Sequence, residues 1–209
     1  MKIYLAPLEG ITGYTYRRAL HQCFGGFDKY FIPFILPNQK GHLSTREKKD
    51  IAPENNEGMY AVPQILTKNA EDFIRTAETL QEYGYNEVNL NLGCPSKTVV
   101  TKGRGTLRNP ALAREIRGGA PASKEEIRRF HDIMYNEYCE DLSGDRNILF
   151  RMKELWSYLI PMFTNNKKYA KKIKKTEKCV VYESAVRELF SCEQLIDSND
   201  DSEKITGTL

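Results

Sequence analysis

Over the first ninety residues, short apolar runs alternate with stretches of helical spacing. Residues 2–6 read as a strand, and Pro7, Leu8, Glu9 and Gly10 as the turn after it. Thr12 is placed to cap a helix running through Tyr16, Ala19 and Leu20 to a stop at Gly25 and Gly26. Residues 30–36 are rich in β-formers but carry Pro33, which counts against an unbroken central strand. Residues 38–58 are polar with mixed charge and read as one long loop, a kind of segment that often carries function. Residues 60–65 form a third strand. Asn69 caps a helix with Phe73, Ala77 and Leu80 at helical spacing, closing at Gly84. Residues 87–92 form a fourth strand. Strand and helix in alternation predict parallel βα units.

After Pro110 the pattern is helical throughout. Pro110 suits the first turn of a helix over 111–116 that ends at Gly118 and Gly119. Ser123 and Glu126 form a capping box for a helix with Ile127, Phe130, Met134 and Tyr138 on one face. Asp145 is placed to cap the next, whose stripe contains Ile148, Leu149, Met152, Leu155, Trp156, Leu159 and Ile160. Trp156 within that stripe reads as core. A lysine-rich helix follows over 166–178 and a last one over 180–192. Residues 197–209 are polar and acidic and are expected to be disordered. The fold class expected is α/β: a partial (β/α) TIM-type barrel of about four strands, then an all-α domain. The domains expected are 1–108 and 109–195, with a tail over 196–209.

Composition narrows this little. The chain has 209 residues, 40% hydrophobic and 28% charged, as in ordinary globular proteins. A net charge of +3 and a pI near 8.5 permit a nucleic-acid partner without demanding one. No apolar run approaches a membrane span, and the apolar part of the N-terminus is short for a signal peptide. Cysteines at 23, 94, 139, 179 and 192 make neither a disulfide framework nor a zinc pattern, so the cytoplasm is the expected compartment. His21, His42 and His131 lack metal-ligand spacing.

Two features carry candidate chemistry. Cys94 follows the fourth strand on a turn made by Gly93 and Pro95. A cysteine there is either a presented reactive group or a small buried hydrophobe. The seven lysines within 167–178, with Glu177 the single acid among them, either track phosphates or form a solvated helix face.

Three motifs in order bear on these alternatives. The run Asn-Leu-Asn-Leu-Gly-Cys-Pro-Ser-Lys-Thr-Val-Val at 89–100, followed by Lys102, Gly103, Arg104 and Gly105, resembles the active-site segment of tRNA-dihydrouridine synthases. So do Ala6, Pro7, Leu8, Glu9, Gly10, Ile11 and Thr12 at the start, and Pro63, Gln64, Ile65 and Leu66. The resemblance implies an FMN- and NADPH-dependent enzyme that reduces uridine in tRNA. It assigns Cys94 as the proton donor and Asn91 as the residue contacting the target base; capping the turn is the other role open to Asn91. It places Pro7, Leu8, Glu9 and Gln64 on the flavin, and Gly103 and Arg104 on its phosphate. For Gly103 and Arg104 a flexible turn is the competing reading.

The helical half is similar to the tRNA-holding domain of that family, beginning at Asn109, Pro110 and Ala111. Family members carry four more barrel strands in between, with a flavin-binding lysine, a histidine near the flavin and an Asn-Gly turn. None of these is in this chain. Gly103, Arg104 and Gly105 stand where two similar Gly-Arg runs would have joined, which points to an internal deletion. Two expectations follow from the missing strands: weak or absent flavin binding, and self-association through the open half-barrel. The competing functional reading is a non-catalytic tRNA-binding remnant.

Overall fold

The computed structural model describes residues 1–38, 42–92 and 105–196. They form an α/β arrangement with parallel strands first and helices after. The chain divides into two compact units: Met1–Gly103 with Ala113–Gly119, and Arg104–Leu112 with Ala120–Leu209.

In the first unit, β1 (Tyr4–Leu5), β2 (Lys29–Phe31) and β3 (Ala61–Val62) form one parallel sheet in that order. β4 (Gln64–Leu66) and β5 (Asn89–Asn91) form a second parallel pair. Pro63 separates β3 from β4. It has no N–H to give, so the ladder is cut there. Its carbonyl still accepts from the Asn89 N–H at 2.9 Å. Past Pro33, a lone parallel bridge from Ile35 to Ile65 resumes the pairing on the other side. Two of the four strands read from the sequence are thus interrupted at prolines.

The helices of this unit correct two expectations. α1 (Tyr14–Cys23) begins after Gly13 and has no side-chain cap. The Thr12 hydroxyl instead accepts the Leu8 N–H at 2.7 Å, closing the turn before the helix. The stretch 38–58 is not one loop. It contains α2 (Thr45–Ile51) and a 3-10 turn over Pro53–Asn56. Ser44 and Glu47 form a full capping box at its start: Glu47 N–H to Ser44 Oγ at 3.2 Å, and Ser44 N–H to Glu47 at 2.8 Å. The helix escapes a hydrophobicity reading because its one buried apolar side chain is Ile51. α3 (Ala70–Glu82) is capped by Asn69, which accepts from the Glu71 and Asp72 N–H groups. Ile32, Ile35, Ile51, Ile65 and Leu80 make the core of these layers.

α4 (Gly105–Arg108) belongs to the second unit, and α5 (Leu112–Ile116) returns the chain to the first from Ala113 on. Gly26 has φ of +84° there, and a Cβ on it would lie 3.0 Å from the Arg114 nitrogen. Only glycine allows that approach. Arg117 ties the segment down, donating to the Gly26 carbonyl at 2.9 Å and to Asp28 at 2.6 Å.

The second unit is helical: α6 (Lys124–Asp141), α7 (Asp145–Leu159), a 3-10 turn over Ile160–Met162, α8 (Asn166–Lys174) and α9 (Cys179–Cys192). The Ser123 and Glu126 capping box opens α6. Asp145 does not cap α7. That place falls to Gly144, and Asp145 accepts the Cys179 N–H at 3.2 Å, joining the starts of α7 and α9. Trp156 is 2% exposed and lies in the core. Phe163 and Phe190 meet edge to face beside it, their centroids 5.4 Å apart. No helix among the described residues is long and apolar enough to cross a membrane. The tail over 197–209 lies outside the described residues.

Candidate functional site

The parallel strands of the first unit present their C-terminal ends as one candidate face. Gln64 opens β4 and Asn91 closes β5. The register pairs Gln64 with Asn89 and Leu66 with Asn91. A period of two then puts Gln64, Leu66, Asn89 and Asn91 on one side of the pair. The Asn91 amide nitrogen donates to Gln64 Oε1 at 3.4 Å. Gln64 is buried while Asn91 is half-exposed. The two amides offer donors and acceptors side by side, the chemistry that a uracil or isoalloxazine edge requires.

The loop 7–10 after β1 is built differently. Gly10 has φ of +79° and turns the chain. The Leu8 carbonyl accepts from the Ile11 and Thr12 N–H groups at 3.1 and 3.0 Å. The Glu9 carboxylate meets Arg46 Nη1 at 2.7 Å.

Behind this loop lies a buried charged node. Arg17 is fully buried. Its Nη1 donates to the Thr12 carbonyl at 3.0 Å and stands 3.4 Å from Asp50 Oδ1. Its Nη2 donates to the Asp50 carbonyl at 2.7 Å and to Asn56 Oδ1 at 3.0 Å. Asp50 Oδ1 also accepts the Tyr14 N–H at 2.6 Å. Burial pulls the Arg17 pKa down and pushes the Asp50 carboxyl up, and the opposite charge of each partner works against those shifts. The Tyr85 hydroxyl, donating to the Ile51 carbonyl at 2.8 Å, is pushed up to about 12 by burial. Between this node and β2 is a cavity of about 160 Å³ lined by Glu9, Ile32, Phe34, Arg46 and Asp50 among others. Ligand pockets start at about 300 Å³, so this space alone does not hold a flavin.

The structure therefore brings Gln64 and Asn91 into contact, and gives the loop 7–10 its partners in Thr12 and Arg46. Cys94, Gly103 and Arg104 lie outside the described residues. The Arg17–Asp50 node was not legible as a site. Its signals were an arginine between Tyr16 and Leu20 on an apolar helix face, and the Ser44 and Glu47 box inside a polar stretch.

In the second unit a hydrogen-bond chain crosses the core. Trp156 Nε1 donates to the Tyr182 hydroxyl at 2.7 Å, and that hydroxyl lies 2.6 Å from His131 Nε2. His131 Nδ1 lies 2.8 Å from Asp132. A single directionality satisfies every member. Tyr182 accepts from Trp156 and donates to Nε2, and Nδ1–H donates to Asp132, so His131 is neutral. Burial lowers its pKa, against the pull of Asp132. The lysines of α8 are exposed. Lys168 and Lys172 pair with Glu188. No group of His, Cys, Asp and Glu among the described residues is arranged to hold a metal.

Residues 4–117 match the family model of dihydrouridine synthases (Dus). Among curated proteins, the chain is 30% identical over 117 residues to tRNA-dihydrouridine synthase B of Pasteurella multocida, covering 55% of this chain and 34% of that one. It is 33% identical over 136 residues to a tRNA-dihydrouridine(16) synthase of Pseudomonas putida, covering 59% and 41%. A Staphylococcus aureus protein named "Probable tRNA-dihydrouridine synthase" is 28% identical over 157 residues, covering 67% and 47%. These matches span between about a third and a half of the relatives' own length. With more than half of its residues inside the family model, this chain belongs to the dihydrouridine synthase family.

Proposed function

We propose that the reaction inherited by this chain is the FMN- and NADPH-dependent reduction of uridine to 5,6-dihydrouridine in tRNA, and that the isolated chain keeps only part of the site for it. The observation that carries this reading is the Asn91–Gln64 contact at 3.4 Å on the ends of parallel strands, three residues before Cys94. The strands and helices of residues 1–108 are read as part of a (β/α) barrel, with the site on its C-terminal face. Residues 109–195 are read as the tRNA-holding helical domain.

The roles follow from the side chains. The Gln64 amide would bond the isoalloxazine edge, and the backbone of Pro7, Leu8 and Glu9 would line the ring. Asn91 would hold the uracil edge. Bound reduced flavin would supply the hydride. Cys94 would deliver a proton to the adjacent ring carbon, since a thiol with an ordinary pKa of about 8.5 is protonated at neutral pH. Gly103 and Arg104 would hold the flavin phosphate. The amides fit the ring edge. The family's lysine, histidine and Asn-Gly turn have no counterpart in the sequence. An error of about 1 Å in placement can cost about 10²-fold in rate, and an incomplete wall costs more.

The test is to incubate the purified chain with unmodified tRNA, FMN and NADPH and to analyse the nucleosides by mass spectrometry. The expected result is weak flavin binding at most and no dihydrouridine above the control, and a yellow chromophore bound to the purified protein would favour the enzyme reading. Product that disappears on Cys94→Ala would show the retained half-site to be sufficient. The second reading, a non-catalytic tRNA-binding remnant, is favoured by the exposed lysines of α8. It predicts a colourless chain that still retards tRNA in a gel.

A further inference from the structure

We infer that Arg46 is a positioning residue that fixes the shape of the loop 7–10. Its consequence for ligand binding rests on the flavin reading above. α2 places Arg46 and Asp50 one turn apart on one face. Arg46 Nη1 reaches Glu9 Oε1 at 2.7 Å, and its Nε lies 3.8 Å from Asp50 Oδ2.

From Asp50 the connection runs on to the far end of the same segment, through its 2.6 Å bond from the Tyr14 N–H. Arg17 holds the middle by donating to the Thr12 carbonyl, and Thr12 accepts from the Leu8 N–H. Residues 8–14 are therefore held at Leu8, Thr12 and Tyr14 by the buried node and its neighbours. At Glu9 the tie is Arg46.

This arrangement has a chemical consequence. The Glu9 carboxylate is directed to α2 and neutralised there. An anionic or electron-rich ligand at the strand ends would then meet the backbone of the loop instead of an uncompensated negative charge. The mixed polar stretch after β2 thereby acts on the loop after β1.

Arg46 and Glu9 are both about half exposed, 49% and 44%. Such a pair is a weak contact, enough to shift a local equilibrium roughly 2–5-fold and too little to govern global stability. The decisive readout is amide exchange by NMR at Ile11 and Thr12, whose N–H groups donate to the Leu8 carbonyl. Arg46→Gln is expected to raise exchange there roughly 2–5-fold. Glu9→Gln is expected to do the same, and the double variant no more than the larger single. Arg46→Lys is expected to restore part of the protection. The denaturation midpoint is expected to stay where it was.

Unchanged exchange at Ile11 and Thr12, or fully additive single effects, would overturn the inference. So would a rise accompanied by a matching loss of global stability. FMN titration of the same variants separates the two readings. Failure of the unsubstituted chain to bind any FMN bears on the flavin reading, while loop exchange alone decides the role of Arg46.

Discussion

Arg17 reaches both ends of Asp50: its Nη2 bonds the backbone carbonyl at 2.7 Å, and its Nη1 stands 3.4 Å from the carboxylate. One arginine thus fixes the last turn of α2 and, through the Thr12 carbonyl, the start of α1. Removing one member of a buried pair strands the other charge, which costs about 3–5 kcal/mol. Arg17→Met is expected to lower the stability of the first unit by that order in urea denaturation. Far-ultraviolet and tryptophan signals should then separate, because Trp156 reports on the second unit alone. Coincident, unshifted transitions would show that Asp50 finds another partner.

Acid should loosen the second unit. His131 is held neutral by burial, with a folded pKa below its ordinary value of about 6.5. The unfolded chain therefore takes up a proton first as pH falls. The stability tied to the neutral ring is complete above about 6.5 and is lost progressively below it. Asp132 and Arg128, which flank the ring with opposite charge, bound the size of the effect. Thermal melts of the chain between about pH 7 and 5 should show this loss, and His131→Gln should flatten the dependence. Tyr182→Phe, which breaks the chain in its middle, should cost about 1–3 kcal/mol at neutral pH.

The lysines of α8 and its C-cap Lys175 divide into two groups. Lys168 and Lys172 are paired with Glu188, whereas Lys167, Lys171, Lys174 and Lys175 make no ion pair among the described residues. If this face holds tRNA, each of the latter that contacts phosphate should contribute about one to the slope of log K against log salt. Replacing these four by glutamine should therefore flatten the salt dependence of tRNA binding more than replacing Lys168 and Lys172. Equal slopes would assign the run to solvent.

The strand edges predict association. β1 and β5 pair on one side each among the described residues, and Tyr4, Leu90 and Leu92 are 48%, 48% and 75% exposed. Open edges of this kind recruit further strands. Sedimentation should show a dimer or larger species at micromolar concentration; a single monomeric boundary would count against it.

Much of the fold is written in side-chain spacing. Asn69, Ser123 and Glu126 announce helix starts by residue type, and the structure uses all three. The stripe around Trp156 buries as its period demands. Side-chain spacing does not reveal where polar side chains make tertiary contacts. Thr12 and Asp145 have the chemistry of caps but spend their oxygens on Leu8 and Cys179. α2 carries its helical signal in Ser44 and Glu47 and buries only Asp50 and Ile51, so a search for apolar periodicity passes over it. At the candidate site, Gln64 and Asn91 are readable as separate motif residues, and their contact comes from the register of β4 and β5. The Arg46–Glu9 tie is not readable, because it joins segments 37 residues apart through a helix that hydrophobicity conceals.

Pro63 has a further effect, on what this sheet is able to become. Its carbonyl faces β5 and is bonded there, so the hydrogen it lacks is lacking on that side. Sliding the strand by one residue would turn it over, aim the pyrrolidine ring at β2 and swing the neighbouring Gln64 to the opposite surface. The break in the ladder thus sets which face Gln64 occupies in the observed register. In the observed threading the missing donor falls on the β5 side, and the Gln64 amide lies beside Asn91.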